Sequence, residues 1–547
     1  MALPKADLVL KNGRVFESLE TGFCDAVALW SGRVLATGHW QEIETLVGPG
    51  TRVIDLRGRA TVPGFNDAHQ HLMSLGLTMD EIDLRPRAVK SLERLLERVR
   101  ARAAEARPGD WIFGGRYDHF HLDIKRHPYR EELDSVAPDN PVFLKRTCGH
   151  VGVANSLALR LAGISEDSPD PPGGHIERQN GRLTGLLQER AQELISAVVP
   201  SLSQEALIAG IERAGQHMLS RGVTSVMDAG VGMRQGMDDY LAYQEARRQG
   251  RLPVRTYLSL TGGPAGIQDE ALERGLKTGV GDDYLRVGSV KLFTDGSAGG
   301  KTAAMRDPYR CSCASVGILI YDDRELNDWV ERYHRAGLQV SLHAIGDAAI
   351  DQVIGAVDSA MERFPAGEPP AGRRHRIEHC GFTTPDQIAD MQRLGMCPAP
   401  QPIFIYEFGD LYVDVLGEAR PSVSYPMRAW FEAGLHPAAS SDAPVSDTST
   451  MTNLYTMVTR KTDSGRVLGA DQALSLAEAV SALTYNGAYV SFSEEVKGTL
   501  RPGQLADLAV LDRDIFALEP EELLATEVDL TVRDGQVVYD RTGEASA

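Results

Sequence analysis

The residues of this chain best suited to chemistry are four histidines, a lysine and an aspartate, each at the end of a short apolar run. His69 and His71 lie in PGFNDAHQH, Lys291 in VGSVKLFTDG, His343 in LQVSLHAIG, His379 in HRIEHC and Asp442 in HPAASSDAP. Residues two apart in an extended strand share a face, so the imidazoles of His69 and His71 can reach one ion. Lys291 stands among Val290, Leu292 and Phe293, where an ammonium is costly unless it is paired or chemically changed. Taken singly, each has a plain structural explanation: a strand-end His is a hydrogen-bonding group, an Asp after a strand is a turn or cap residue, and a buried Lys pairs with an acid. Their joint placement at the ends of five runs points instead to a shared metal site.

Positioning those groups requires strands that deliver them to one mouth. Eight β-branched or apolar runs fit: ATVPGF near residue 62, GVTSVMDAG near 225, LPVRTYLSL near 256, VGSVKLFTDG near 290, LQVSLHAIG near 341, HRIEHC near 377, GMCPAPQP near 398 and HPAASSDAP near 439. Eight is the number a closed parallel barrel requires, and its active site lies at the C-terminal ends of the strands. Between runs, segments such as Glu325 to Gly337 and Thr384 to Gly395 carry apolar residues three and four apart and end in Gly, the pattern of amphipathic helices with a stop signal.

The expected fold is therefore α/β, a TIM-like (β/α)8 barrel over residues 61–486. Runs one and two are separated far more widely than an ordinary βα connection, so a large insertion, residues 72–214, is expected after barrel strand 1 and over the site. The two ends share another texture, short alternating runs punctuated by NG, SG and GPG at the start and by DG near the finish, which reads as hairpins. Neither end has enough apolar residues for its own core. Residues 1–60 and 487–547 are expected to pair into one small β-sandwich domain.

Composition narrows the function. The 57 Lys and Arg against 76 Asp and Glu give a formal charge of -19, which repels phosphate backbones and argues against nucleic acid or an anionic membrane as partner. No apolar stretch approaches the ~18 residues of a membrane helix, and the N-terminus does not read as a secretory signal. The six cysteines, Cys24, Cys148, Cys311, Cys313, Cys380 and Cys397, form no CxxC pair and suit a reducing compartment, so a cytoplasmic location is expected. The remaining partner is a small-molecule substrate.

The sequence resembles the amidohydrolase superfamily, and within it the amidohydrolase-3 branch that includes N-substituted formamide deformylases. The resemblance covers nearly the whole chain and is carried by PGFNDAHQH, VKLFTDGSAGGKTAAM, LHAIGDAAI, HRIEHC, SSDAPV and GTLRPGQLADLAVLDRD in that order. It implies that His69, His71, Lys291, His343, His379 and Asp442 hold two divalent metal ions. Zinc is preferred for imidazole and carboxylate ligands, with Mn, Co or Fe as alternatives. It also implies that Lys291 is carboxylated by carbon dioxide to a carbamate bridging the ions, and that Asp442 is the catalytic proton carrier for a metal-bridged hydroxide attacking a carbonyl. A homo-oligomer, a dimer foremost, is a further implication.

Substrate-binding candidates are His150 and Asn155 in RTCGHVGVANSLAL, Glu189 in GLLQERA and Gln401 after run seven; for each, a structural role is the alternative. His119 and His121 in YDHFHLD form a second His-x-His without evident partners. Gly296 to Thr302, GSAGGKT, lacks the GxxxxGK[ST] spacing of a phosphate loop and reads as a pocket rim. Phe404, Tyr406, Phe408 and Tyr412 fit either a pocket wall or helix packing. The resulting reading is a metal-dependent hydrolase of a non-peptide C–N bond. Alternatives are a cyclic amide, carbamate or ester hydrolase on the same centre, a metal-assisted isomerase or decarboxylase, or a binding protein that has lost its chemistry.

Overall fold

The computed structural model describes residues 4–85, 88–146, 151–264, 266–310, 314–364 and 372–544. Seven parallel strands follow one another around a single sheet: β1 Phe65–Gln70, β2 Val223–Val231, β3 Arg255–Thr261, β4 Leu285–Phe293, β5 Gln339–Ala344, β6 Arg376–His379 and β7 Cys397–Ala399. They are buried along nearly their whole length, as expected of parallel strands covered on both faces. The intervening helices stop where local chemistry stops them. Helix Asp323–Arg335 starts at Asp322, whose carboxylate accepts from the Glu325 amide. Helix Pro385–Leu394 starts with a Thr384–Gln387 capping box and ends at Gly395 in the left-handed region, φ 64°, both familiar terminators.

Two of the expected runs behave differently. ATVP of run one, Ala60–Pro63, joins a terminal sheet and pairs antiparallel with Leu508–Leu511. The barrel strand begins only after Gly64, whose amide is spent on the Asp507 carbonyl and whose missing Cβ makes room for Thr224. Run eight forms no strand. Pro437 has no N–H to give, the Ala439 amide goes to the Ala482 carbonyl, and the Ser441 amide goes to the Asp67 carboxylate, so the alternating ladder of a strand cannot form. Segment 438–443 nonetheless fills the eighth position. Ala438 N–H donates to Pro398 O at 3.1 Å on the β7 side, while Asp442 N–H donates to His69 O and His71 N–H to Ala443 O, both at 2.8 Å, on the β1 side.

Two further sheets are built from the chain ends, the first from N-terminal strands alone and the second from strands of both ends. One orders residues 33–38, 26–30, 8–11 and 52–55; the other orders 536–540, 528–533, 508–511, 60–63, 14–18 and 22–24. Leu8, Leu10, Val27, Leu29 and Ile54 of the first share one buried cluster with Leu508, Val510, Leu530 and Val532 of the second. A buried ion pair, Arg255 with Asp507 at 2.6 and 3.0 Å, ties the start of β3 to this region.

Residues 76–203 form a second compact unit. Its six-stranded sheet orders residues 174–179, 182–189, 151–154, 142–146, 112–117 and 82–83, and its core includes Leu84, Leu95, Val99, Ile112, Leu133, Val142 and Leu144. Among the described residues, no helix is long and apolar enough to cross a membrane.

Candidate metal centre

His69 and His71 project from the end of β1, and Asp442 is held against them by the backbone bonds of the closing segment. Asp442 Oδ1 lies 3.5 Å from His69 Nε2 and 3.3 Å from His71 Nε2. The donor atoms of these three residues all fall within 4.8 Å of one another. The histidines at the ends of β5 and β6 continue the group. Ring centroids step from His71 to His69 at 5.7 Å, from His69 to His379 at 4.9 Å and from His379 to His343 at 4.3 Å. Lys291, 1% exposed on β4, is close enough for its charge to act on His69, His379 and Asp442. The structure thus gathers all six residues at one end of the barrel.

Three of the four imidazoles are oriented from behind. His69 Nδ1 lies 2.5 Å from Glu378 Oε2, His379 Nδ1 donates to Gln401 Oε1 at 2.7 Å, and His343 Nε2 donates to the Gly296 carbonyl at 3.1 Å with Asp295 Oδ1 at 3.2 Å. Fixing one ring nitrogen leaves the other lone pair free as a ligand. His379 and Asp442 have φ of 68° and 58°, a left-handed turn that re-aims a side chain just as the strand ends. Such local strain clusters at functional sites.

The electrostatics favour neutral imidazoles and an anionic acid. Burial, then the Lys291 charge, pulls His69 down to about 4, and burial with the neighbouring His343 holds His379 well below its usual range. Burial would raise Asp442, but the adjacent His71 and the charges of His69, His71 and Lys291 hold it low. Glu378 is likewise held low, the Arg376 and His69 charges overcoming burial. Burial lowers Lys291 to about 8.

The donor set fits a metal ion. His69 Nε2, His343 Nδ1 and Asp442 Oδ1 are buried without a hydrogen-bond partner among the described residues, an expensive arrangement for polar atoms unless an ion completes it. Imidazole nitrogens with a carboxylate oxygen suit zinc and its neighbours.

Other expected site residues are placed elsewhere. Gln401 is fully buried: its carbonyl accepts from His379, and its amide donates to Ala399 O and Ser440 Oγ. In this arrangement it positions His379. Asn155 caps helix Ser156–Leu161, with Oδ1 accepting from Val142 and Ala158 amides and Nδ2 donating to Ala137 and Asn140 carbonyls. Those four bonds exhaust the side chain, so the expected substrate contact has no atom left to make it. Glu189 is exposed, at φ 50°. His150 and the pair Cys311 and Cys313 lie outside the described residues. His119 accepts from Arg146 Nε at 3.1 Å and stacks on His127, while His121 lies 3.4 Å from Asp118. GSAGGKT supplies the Gly296 carbonyl that orients His343. Phe404 stacks with His379 at a centroid distance of 6.4 Å, and Tyr412 is buried.

Four supporting residues escaped the sequence reading: Asp67, Asp295, Arg376 and Glu378. Asp67 accepts the Ser441 amide at 2.9 Å and hydroxyl at 2.5 Å, pinning the closing segment to β1. Asp295 accepts the amides of Ala304, Ile345 and Gly346. The available signal was two opposite charges two apart, Arg376 and Glu378, inside an otherwise buried strand.

The sequence matches the amidohydrolase family over residues 52–539. The chain belongs to the amidohydrolase family. Among amidohydrolase-family relatives, the N-substituted formamide deformylase of Arthrobacter pascens is 31% identical, covering 98% of this chain and 99% of its own. YtcJ of Bacillus subtilis is also 31% identical, covering 97% and 99%. The crystal structure of an uncharacterized metal-dependent hydrolase from Pyrococcus furiosus superimposes with a TM-score of 0.76 at 30% identity, covering 93% of this chain and 99% of that one.

Proposed function

We propose that this amidohydrolase-family chain is a metal-dependent hydrolase that cleaves a carbon–nitrogen bond other than a peptide bond, an amide of a small molecule. His69, His71, Lys291, His343, His379 and Asp442 would hold two divalent ions, zinc by preference. The observation that carries the reading is the set of buried donor atoms on His69, His343 and Asp442 that have no hydrogen-bond partner among the described residues. Amide substrates are favoured by the full-length likeness to a formamide deformylase.

When bound, such ions lower the pKa of water toward neutrality and polarise a carbonyl. The chain's residues do the rest. Asp442, anionic and facing both histidines of β1, takes the proton of the attacking water and returns it to the leaving nitrogen. The Glu378 and Gln401 contacts hold His69 and His379 in one tautomer each. Burial of Lys291 favours its neutral amine, the form that takes up carbon dioxide; a carbamate there would supply an anionic ligand in place of a costly buried ammonium. We also read the two terminal sheets, which include strand Ala60–Pro63, as one small β-sandwich domain made from both chain ends, with the barrel beginning after Gly64 and the insertion spanning residues 76–203. The protein would work as a cytoplasmic dimer.

The test is metal analysis of the purified protein followed by a screen of formamides, acyl amino acids, carbamates and lactones. Metal-dependent amine release from a formamide or acyl amide is expected. Activity confined to lactones would overturn the amide assignment, and full activity after chelation would overturn the metal reading. An intact mass lacking the added carbon dioxide in metal-loaded protein would remove the carbamate.

A further inference from the structure

Beneath the histidines of β1, a charged pair crosses the inside of the barrel. Arg376 and Glu378 share one face of β6, two residues apart, and both are fully buried. Arg376 Nε donates to Glu378 Oε1 at 2.7 Å and Nη2 to Oε2 at 3.0 Å, a fork that fixes the plane of the carboxylate. The same Nη2 donates to the carbonyl of Ala68 at 2.7 Å, the residue before His69. Glu378 Oε2 then meets His69 Nδ1 at 2.5 Å. Since β1 and β6 are not neighbours in the sheet, these contacts brace the barrel across its interior. One guanidinium therefore aligns both the acceptor of the His69 proton and the backbone that carries His69.

A carboxylate without a proton only accepts hydrogen bonds, so the proton between Glu378 and His69 sits on Nδ1 and the lone pair on Nε2. That Nε2 is buried, has no hydrogen-bond partner among the described residues and faces Asp442. We infer that Glu378 is a positioning residue which, aligned by Arg376, holds His69 in its Nδ1–H tautomer and so sets how tightly the site binds its metal. The inference rests on the metal-site reading above. It assigns Glu378 no contact with the reacting atoms.

The experiment measures metal affinity, not turnover alone. Stripped wild-type protein, E378Q and the double variant R376M/E378L are titrated with Zn²⁺ against a chromophoric chelator, with Co²⁺ spectra recorded in parallel. The double variant removes both buried charges together, which guards against the misfolding that one unpaired charge can cause. E378Q keeps an acceptor but loses the charge. Outer-shell partners of this kind typically contribute about 10–100-fold in affinity, so E378Q is expected to bind Zn²⁺ about tenfold more weakly and the double variant about a hundredfold, each with a Co²⁺ ligand-field band still present. Wild-type affinity in both variants overturns the inference. If either misfolds, histidine ¹⁵N spectra of the stripped wild-type protein decide: a proton on His69 Nδ1 supports the assignment, and one on Nε2 overturns it. A wild-type chain that binds no Zn²⁺ at all is a failure of the metal-site reading instead, and it is recognised before any variant is made.

Discussion

The amide of Asp442 donates to the carbonyl of His69 at 2.8 Å, so two residues whose side chains face each other across the centre are also joined through their backbones. The segment that carries Asp442 closes the barrel and completes the donor set in one stroke. Ser441 secures it: its hydroxyl donates to Asp67 and accepts from the Ala443 amide at 3.0 Å. Removing that hydroxyl leaves a buried carboxylate oxygen and a buried amide short of a bond, at a cost of about 1–3 kcal/mol. S441A is expected to lower the unfolding free energy by that amount and to reduce bound metal, as read by denaturant titration and elemental analysis.

Asp442 itself is expected to matter for rate more than for metal. In D442N the amide can still approach an ion through its oxygen but cannot carry a proton, so kcat should fall by about 10²–10⁴-fold, the usual contribution of a general acid or base. Metal content should stay close to wild type. Near-normal turnover would remove Asp442 from the proton path.

Gly230 is predicted to be intolerant of any side chain. A Cβ there would sit 2.5 Å from Met233 Sδ and 2.8 Å from His71 Nδ1. G230A should push His71 out of line with Asp442, lowering metal affinity, while the overpacking costs about 1–3 kcal/mol. Metal titration and a melting curve measure the two effects separately.

Away from the site, two buried histidines form a relay that is complete only when both are neutral. Val340 N–H donates to His375 Nδ1 at 3.0 Å, His375 Nε2 meets His334 Nδ1 at 2.9 Å, and His334 Nε2 meets the Phe364 carbonyl at 3.1 Å. Burial, then His334 and Arg373, hold His375 down at about 3 against an ordinary 6.5. The unfolded chain therefore binds more protons between those values, and stability falls as the pH drops from about 6.5 toward 3, by up to about 1.4 kcal/mol per pH unit. H375Q can accept from Val340 and donate to His334 without titrating. Its denaturation midpoint should lose part of the wild-type decline between pH 7 and pH 5; an unchanged decline would place the acid sensitivity elsewhere.

The barrel and the terminal sheets are predicted to separate energetically at Arg255–Asp507. D507N removes one of the two carboxylates that pair with the buried Arg255 guanidinium and leaves Asp534 in place, so the cost is expected to fall below about 3–5 kcal/mol, that of a fully broken buried pair. Hydrogen exchange should rise in the strand 508–511 before it rises in β5.

The six metal-competent residues were legible because the features that mark them are local: a His-x-His at a strand end, a Lys in an apolar run, a His closing each of two others. Glu378 was not, since its partner His69 lies 309 positions away in sequence and the Arg-x-Glu spacing in HRIEHC does not say which residue the pair serves. Gln401 and Asn155 looked like ligand contacts for the same reason in reverse. A polar residue after a strand gives no local sign that neighbours already use all its bonds. The eighth run had the composition of a strand, but competition for its amides by Ala482 and Asp67 belongs to tertiary structure. Likewise ATVPGF hid a boundary, because only the partner at Leu508–Leu511 shows that ATVP and the segment after Gly64 belong to different sheets.

That last pairing sets a clock on biosynthesis. Strand Ala60–Pro63 must wait for Leu508–Leu511, and at about 5–20 residues per second the wait is roughly 20–90 s of translation. Throughout it, Leu8, Leu10, Val27 and Leu29 lack the C-terminal half of the cluster that buries them. The early sheet emerges with an apolar face and an open edge, the combination that recruits a holdase or a neighbouring nascent chain. The yield of folded protein should therefore depend on translation speed and chaperone supply more than on the stability of the finished barrel.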